Sequence, residues 1–307
     1  MTPHGRYLLG RYVLEHPLGS GAFATVWRGF DPDLDSVVAI KVLAENWAVD
    51  ADVRERFLTE ARLLRRIAHP SVVRVHDVGV ELLGGIERPY LVMDLVAGGS
   101  LADRIGHLPA DRATALLRQA ADAVQVLHDE GVIHRDVKPS NLLVDDTGGR
   151  ERVLVADLGS AKLLQQASTL TMVAGTPAYM APEQAAGTEL DARADVYALG
   201  VVAFELYAGT LPPHGATALP PMAEAHGLPA AIDGVLATAT APLPADRFAS
   251  AAALGTALER AAAGEAEGGS GEGSESASES GRGWPAAGVI AVALVLFVTA
   301  ALAVWRL

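Results

Sequence analysis

Cysteine is absent from this chain of 307 residues. Disulfides, thiolate metal sites and cysteine nucleophiles are therefore excluded. Basic residues are also scarce, since 24 Lys and Arg stand against 37 Asp and Glu, and the formal net charge is -13. Such a charge gives no general attraction to a polyphosphate backbone, so no nucleic-acid partner is expected. The N-terminal segment lacks the apolar core of a secretory signal, and most of the chain is expected to stay where it is made.

A long apolar run occupies the C-terminus. The segment PAAGVIAVALVLFVTAALAVW, residues 285–305, carries no charge, and Trp284 and Trp305 bracket it. At about 1.5 Å per residue, about twenty helical residues cross a hydrocarbon layer of roughly 30 Å. The run is therefore predicted to be a transmembrane helix, with a buried core helix as the alternative.

The segment before that run, residues 263–284, consists almost wholly of Gly, Ser, Ala and Glu. This composition cannot bury enough apolar surface to fold, so a disordered acidic linker is predicted. The chemistry is expected within residues 8–262.

A glycine-rich turn is predicted near the N-terminus. Apolar and polar residues alternate on either side of Gly19, Ser20 and Gly21, which is typical of two strands joined by a turn. Glycines there allow backbone amides to approach an anion closely, although Ala24 replaces the third glycine of the usual phosphate loop. The next strand, SVVAIKVL, carries Lys41.

A helix is predicted over DVRERFLTEARLLRRIAHP, where Phe57, Leu63, Leu64 and Ile67 recur at helical spacing and Pro70 ends the helix. Glu60 lies on this helix. Its neighbours at a distance of four residues are Arg56 and Leu64, and no lysine stands there. Glu60 is therefore expected to reach a partner outside its own helix.

A cluster of polar residues interrupts an apolar part of the chain at VIHRDVKPSNLLVDD. Its members are His134, Arg135, Asp136, Lys138 and Asn141. A solvated loop between a helix and a strand is one explanation. The other is a catalytic loop, because the cluster occurs with further motifs elsewhere in the chain.

Together these motifs resemble the eukaryotic-like (Hanks-type) Ser/Thr protein kinases, and most of all the membrane-anchored bacterial type. GSGAFATV, VAIK, Glu60, HRDVKPSN, DLG and APE follow in the family's order. The resemblance covers residues 12 to about 260 and implies an α+β, two-lobed protein kinase fold. A small β-rich N-lobe with one key helix is expected at about residues 8–96, a mostly helical C-lobe at about residues 97–262, and the transmembrane helix after them.

The resemblance also implies ATP binding. Lys41 would hold the α- and β-phosphates while paired with Glu60. The segment YLVMDLVAGGSL would be the hinge, with Met93 as gatekeeper and backbone groups of Asp94 and Val96 bonded to adenine. The ATP-binding residues implied are Leu18, Gly19, Ser20, Gly21, Ala22, Phe23, Val26, Ala39, Lys41, Met93, Asp94 and Val96.

In what the resemblance implies, Asp136 would orient the substrate hydroxyl and accept its proton, and Lys138 would contact the γ-phosphate. Asn141 and Asp157 would bind Mg²⁺, with Mn²⁺ as an alternative ion. His134 would pack beneath Asp157.

The motif DLG departs from the family's usual pattern because Leu158 replaces phenylalanine. Leucine still supplies an apolar side chain, so the active geometry is expected to be available with altered control.

The segment VAGTPAYMAPEQ resembles a substrate-docking segment. Thr176 would bond Asp136 and Lys138 and favour Ser or Thr acceptors over Tyr. The resemblance also implies two structural features, which are an ion pair between Glu183 and Arg247 and a buried brace of the catalytic loop by Asp195.

Arg135 lies beside the catalytic aspartate and would need an anion as its partner. A phosphate in the activation loop could be that anion, helped by Lys162. The candidate phosphosites are Thr169, Thr171 and Ser168, of which the two threonines are favoured; the alternative is that they are plain polar loop residues. Confinement to a membrane favours modification of one copy by another through a transient homodimer.

The expected function is transfer of the ATP γ-phosphate to Ser or Thr of protein substrates in bacterial signal transduction. The expected location is the cell membrane, with a single span and a cytoplasmic kinase domain, because ATP is cytosolic. A pseudokinase that binds nucleotide as a scaffold is one alternative, and a small-molecule phosphotransferase of related fold is another. Against the pseudokinase, the chain contains Lys41, Glu60, Asp136, Asn141 and Asp157.

Overall fold

A six-stranded antiparallel sheet forms the N-terminal part of the computed structural model, which describes residues 7–21, 23–157, 177–213 and 218–265. Its strands are β1 (Tyr7–Leu9), β2 (Tyr12–Ser20), β3 (Ala24–Asp31), β4 (Ser36–Leu43), β5 (Val75–Leu83) and β6 (Ile86–Asp94). They lie in the order β1-β2-β3-β4-β6-β5. The strands predicted on either side of the glycine-rich turn are β2 and β3. Ser20 still pairs with Thr25, so β2 extends into the predicted turn.

Two helices follow β4, the short α1 (Glu45–Ala48) and α2 (Ala51–Leu64). Asp50 caps α2 by accepting hydrogen bonds from the backbone N–H groups of Asp52 and Val53. The buried face of α2 consists of Val53, Phe57, Ala61 and Leu64. Phe57 and Leu64 are two of the four apolar residues from which the helix was predicted.

The end of α2 differs from the sequence prediction, because the helix stops at Leu64, six residues before Pro70. The N–H groups of Arg66 and Ile67 bond to the carbonyls three residues earlier, so the chain tightens into a turn. This turn buries Ile67 and leaves Leu63 exposed.

The C-terminal part is mostly helical. Its helices are α3 (Ala110–Asp129), α4 (Pro182–Ala185), α5 (Arg193–Ala208), α6 (Ala231–Ala239) and α7 (Ala251–Ala262). A two-stranded hairpin consists of β7 (Leu142–Asp145) and β8 (Arg152–Val155). Short 3₁₀ turns lie at Leu101–Arg104, Pro139–Asn141, Pro177–Tyr179, Glu224–His226 and Pro244–Asp246.

Helix α5 lies in the core of this part. Its sequence is apolar on all sides, and nearly every residue is buried. Tyr207 on α5 forms a hydrogen bond of 2.7 Å with Thr114 on α3, and Gly209 in the left-handed conformation ends the helix. The burial of α5 places Asp195, in its first turn, inside the molecule. The predicted combination of a β-rich N-lobe with one key helix and a mostly helical C-lobe is confirmed.

Several predicted features lie outside the described residues. They are the transmembrane helix at residues 285–305, most of the linker at residues 263–284, Ala22, Leu158, Lys162, Ser168, Thr169, Thr171 and Thr176. Among the helices of the described ranges, none has the length and apolar character that a membrane span requires.

Candidate active site

The alternation of side chains along β4 directs Lys41 into a cleft between the sheet and α2. Val38, Ile40 and Val42 pack in an apolar cluster on the other face of the sheet. Ala39 and Leu43 belong to the main core. Because successive strand residues point to opposite faces, Lys41 shares the face of Ala39 and Leu43.

Three charged side chains share this mostly apolar cleft: Lys41, Glu60 and Asp157. Lys41 Nζ lies 2.9 Å from Asp157 Oδ1, and the two side chains are 10% and 29% exposed. Burial has the largest single effect and raises the pKa of the Asp157 carboxyl. The charge and hydrogen bond of Lys41, together with His134 and Lys138, outweigh burial and hold this pKa below its ordinary value. Asp157 is therefore an anion at neutral pH. The resemblance did not assign this pair, and the pairing of Lys41 with Glu60 stays a prediction.

The catalytic loop holds the Asp136 carboxylate through one of its oxygens. Lys138 Nζ lies 2.8 Å from Asp136 Oδ2, and Asn141 Nδ2 donates to the same oxygen at 3.1 Å. The Asn141 amide also donates to the backbone carbonyl of Asp136 at 2.8 Å. The Asp136 side chain is 16% exposed, so it is fixed yet still reaches solvent.

His134 links this loop to Asp157 through backbone groups. The imidazole is fully buried, and its Nε2 lies 2.9 Å from the carbonyl of Ala156, the residue before Asp157. Its Nδ1 accepts a hydrogen bond from the Asp136 N–H at 3.2 Å. An accepting Nδ1 carries no hydrogen, so Nε2 is the donor to Ala156. The prediction that His134 packs near Asp157 agrees with this contact.

Asp195 braces the catalytic loop, as predicted. Its Oδ2 accepts from the His134 N–H at 2.7 Å, and its Oδ1 accepts from the Arg135 N–H at 2.8 Å. The brace holds Arg135 at a φ of +68°, a left-handed conformation that is unfavourable for residues other than glycine. His128, whose side chain is 5% exposed, adds a contact of 2.8 Å between its Nε2 and Asp195 Oδ2. His128 was not predicted from the sequence. The one feature that could have indicated its role is its position in the last turn of α3, shortly before the catalytic loop.

The predicted ion pair between Glu183 and Arg247 is confirmed. The guanidinium makes two parallel bonds to the carboxylate, at 2.6 and 2.8 Å, and its side chain has no exposure. Arg247 also donates to the carbonyls of Ala241, Pro242 and Arg193. Burial alone raises the pKa of the Glu183 carboxyl, but the Arg247 bond lowers it below its ordinary value. The pair fixes α4 against the rest of the C-lobe.

Replacing Arg247 with Met is expected to lower the free energy of unfolding by about 3 to 5 kcal/mol, because Glu183 is left buried without its cation. Urea unfolding measures the change. Arg152→Met is the matched control, since it breaks an ion pair with Asp145 in which the arginine is 47% exposed. That variant is expected to lose about 1 kcal/mol or less. Equal losses in the two variants would contradict the structural role of the buried pair.

The predicted nucleotide-binding residues lie along β2, β3, β4 and β6. Ala39 and Met93 are buried opposite each other on neighbouring strands, whereas Leu18, Gly19 and Ser20 are exposed at the end of β2. Gly21 N–H donates to the Ala24 carbonyl at 2.9 Å. Half-buried Val26 and Val96 complete the described set. Phe23 is buried and stacks on Trp47, with ring centroids 4.6 Å apart, so it also packs α1 against the sheet.

Asp94, the predicted hinge residue, has further contacts. Its backbone N–H donates to the Arg74 carbonyl at 3.0 Å, so this group is not available to adenine. Its side chain lies 2.7 Å from Nε2 of His76. Any backbone bond from Asp94 to adenine therefore falls to its carbonyl oxygen.

Comparisons with known proteins agree with this geometry. A model of the protein kinase domain matches residues 12–227. The serine/threonine-protein kinase PknL of Mycobacterium tuberculosis is 37% identical over 266 residues, which cover 81% of this chain and 65% of PknL. The serine/threonine-protein kinase pkn2 of Myxococcus xanthus is 39% identical over 219 residues, which cover 69% of this chain and 26% of pkn2. The match thus spans just under two thirds of PknL.

A solved structure is similar as well. The crystal structure of the Mycobacterium tuberculosis PknI kinase domain superposes with a TM-score of 0.67 at 33% identity and covers 83% of this chain and 98% of that one. The chain belongs to the protein kinase domain family.

Proposed function

We propose that this chain is a protein kinase that transfers the γ-phosphate of ATP to Ser or Thr residues of protein substrates. The observation that carries the proposal is that Lys138 and Asn141 both contact the Oδ2 atom of Asp136, at 2.8 and 3.1 Å. The charged cleft with Lys41 and Asp157 is joined to this loop through His134. The names of the relatives, which are Ser/Thr protein kinases, support the same reaction.

Asp136 serves as the base in this reaction. Phosphoryl transfer depends mainly on positioning and on charge stabilisation, so the base must be held in place before the substrate arrives. Among the described contacts, those of Lys138 and Asn141 both fall on Oδ2. Oδ1 is therefore the oxygen that accepts the proton of the substrate hydroxyl. The Lys138 ammonium lies beside the Asp136 carboxylate, at its Oδ2 atom, and offsets negative charge on the transferred phosphate.

The residues present fit a magnesium ion. The Asn141 nitrogen is committed to Asp136, so the amide oxygen is left for a cation, and Asp157 offers an ionised carboxylate. In the described ranges, no three or more His, Asp or Glu cluster as an all-protein metal site. This suits Mg²⁺, which takes one or two protein ligands together with phosphates, and Mn²⁺ is the alternative ion. Asn141 and Asp157 would hold the ion, which would supply positive charge against the negative charge that develops on the phosphates during transfer.

The choice of Ser and Thr is assigned to Thr176, and control is assigned to the segment between Asp157 and Glu183. Phosphate on Thr169 or Thr171, with Ser168 as the third candidate, pairs with Arg135 and orders the segment. One copy modifies another through a transient homodimer. The support for these assignments is the motif resemblance alone.

Transfer of labelled phosphate tests the proposed function. Residues 1–265 are incubated with Mg²⁺, ATP labelled in the γ-phosphate and a mixture of unrelated proteins, and mass spectrometry locates the product. Label on Ser and Thr of proteins, including the chain itself, is expected. Nucleotide binding with no transfer would contradict the proposal and favour a pseudokinase, whereas transfer only to small molecules would favour the other alternative.

The C-terminal run at residues 285–305 is proposed to anchor the kinase in the cell membrane, with the catalytic domain in the cytoplasm. Twenty-one uncharged residues after an acidic linker support this proposal. Deletion of residues 284–307 is expected to release a soluble protein whose kcat is within about twofold of the full chain, because every proposed catalytic residue lies before the end of α7. Fractionation and the transfer assay measure this outcome.

The orientation of the kinase domain relative to the membrane can be tested in intact cells. Protease added outside is expected to leave the kinase domain uncut. Digestion of that domain, or a truncated chain that stays in the membrane fraction, would contradict the anchor proposal.

A further inference from the structure

The peptide group that joins Arg135 to Asp136 is held at both ends by buried side chains. Its N–H, which belongs to Asp136, donates to His134 Nδ1 at 3.2 Å. Its carbonyl, which belongs to Arg135, accepts a hydrogen bond from Gln184 Nε2 at 2.7 Å. The plane of this peptide group determines the direction in which the Asp136 side chain leaves the backbone. Whatever holds the plane therefore aims the base.

This peptide group needs support because the backbone around it is strained. Arg135 has a φ of +68°, a backbone conformation that is unfavourable for residues other than glycine. The backbone N–H of Arg135 donates to Asp195 Oδ1 at 2.8 Å. The backbone carbonyl of Arg135 accepts the hydrogen bond from Gln184. Without the second contact, the carbonyl is free to rotate toward a more favourable backbone conformation, and Asp136 turns with it.

Gln184 is well anchored for this task. Its side chain is buried, with 4% exposure for the residue, and its own N–H donates to the Ala181 carbonyl at 3.0 Å in the first turn of α4. The preceding residue, Glu183, is fixed by the buried pair with Arg247. The amide of Gln184 is thus carried on a short helix that cannot shift without breaking that pair.

We infer that Gln184 is a positioning residue that aims the catalytic base Asp136 by holding the Arg135 carbonyl. Gln184 touches neither nucleotide nor substrate in this role and acts only through the backbone of the catalytic loop. The inference rests on the proposed phosphotransfer. It also gives a physical link between the docking segment that ends in α4 and the base.

Gln184→Met tests the inference, since methionine keeps the size of the side chain and removes the donor. The kcat for phosphoryl transfer is expected to fall about tenfold, as for the loss of one well-placed hydrogen bond in the transition state. The KM values for ATP and for the protein substrate are expected to stay within about twofold. Gln125→Met is the matched control, because it removes a glutamine contact to the Ala252 backbone N–H between α3 and α7. This control is expected to keep its kcat.

Gln184→Glu provides a second measurement that also applies if the methionine variant does not fold. A protonated carboxyl has an O–H that can donate to the Arg135 carbonyl, whereas the carboxylate cannot. Burial raises the pKa of a carboxyl, so the introduced carboxyl is expected to become protonated as the pH is lowered. The kcat of this variant, divided by the kcat of the wild type, is therefore expected to increase as the pH is lowered from about 8 to about 6.

Three results would overturn the inference: an unchanged kcat in the folded Gln184→Met variant, an equal fall in kcat for Gln125→Met, or a pH-independent ratio for Gln184→Glu. Failure of the proposed function is recognised separately, because the wild-type chain then transfers no phosphate at all.

Discussion

Replacing Asp136 with Asn is expected to reduce phosphoryl transfer by about a thousandfold, the usual contribution of a positioned base with its orienting role. Asparagine keeps the shape of the side chain but cannot accept the proton. Nucleotide affinity is expected to stay within about threefold, because the cleft with Lys41 and Asp157 is unchanged. Single-turnover transfer and equilibrium binding of an ATP analogue measure the two quantities.

Asp145→Asn is the matched control for this prediction. Asp145 is a carboxylate at the end of β7 that bonds Thr147 and Arg152, away from the catalytic loop. Its variant is expected to transfer phosphate at the wild-type rate. Undiminished turnover in Asp136→Asn would exclude Asp136 as the base.

Replacing Lys41 with Met is expected to lower transfer by about a hundredfold, because the cation that positions the phosphates is lost. The same change leaves the Asp157 carboxylate without the ammonium group 2.9 Å away. The free energy of unfolding is expected to fall by about 2 kcal/mol near neutral pH. Lys41→Arg is the control, since it keeps the charge and hence most of the stability while it changes the geometry that transfer requires.

The stability effect of Lys41→Met has a defined pH dependence. The pKa of Asp157 is lowered in the folded state, so its contribution is present above the ordinary carboxyl pKa and is lost as the pH falls through the folded-state value. The difference in unfolding free energy between wild type and Lys41→Met is therefore expected to shrink on acidification below about pH 4. Urea unfolding at several pH values measures it. If the difference in unfolding free energy between wild type and Lys41→Met stays constant at pH values well below about 4, the proposed stabilisation of Asp157 by Lys41 is wrong.

The predicted elements that agree with the structure follow local patterns in the sequence. The strand that carries Lys41 and the helix that carries Glu60 were both predicted in this way. Both predictions need only a period of two or of 3.6 residues. The end of α2 was placed too late because the chain tightens into a turn well before Pro70, and no glycine or proline marks that point.

The residues that were missed make contacts with parts of the chain that are distant in sequence. His128 contacts Asp195 across 67 positions, and Gln184 contacts the Arg135 carbonyl across 49. Neither lies in a spacing pattern, because the acceptor position is created only when α3, α4 and α5 pack together. The pair between Lys41 and Asp157 was missed for a related reason, since it depends on how the end of β8 meets the N-lobe.

A crystal structure of residues 1–265 with Mg²⁺ and a non-hydrolysable ATP analogue tests the central claim, that Asp136, Asn141 and Asp157 form one phosphoryl-transfer site. We expect an ion bound by the Asn141 amide oxygen and the Asp157 carboxylate at about 2.1 Å, with the terminal phosphate beside Lys138. Asp136 Oδ1 is expected to face an acceptor hydroxyl placed in line with that phosphate. A nucleotide bound outside the cleft, or an ion that touches neither Asn141 nor Asp157, would contradict the account.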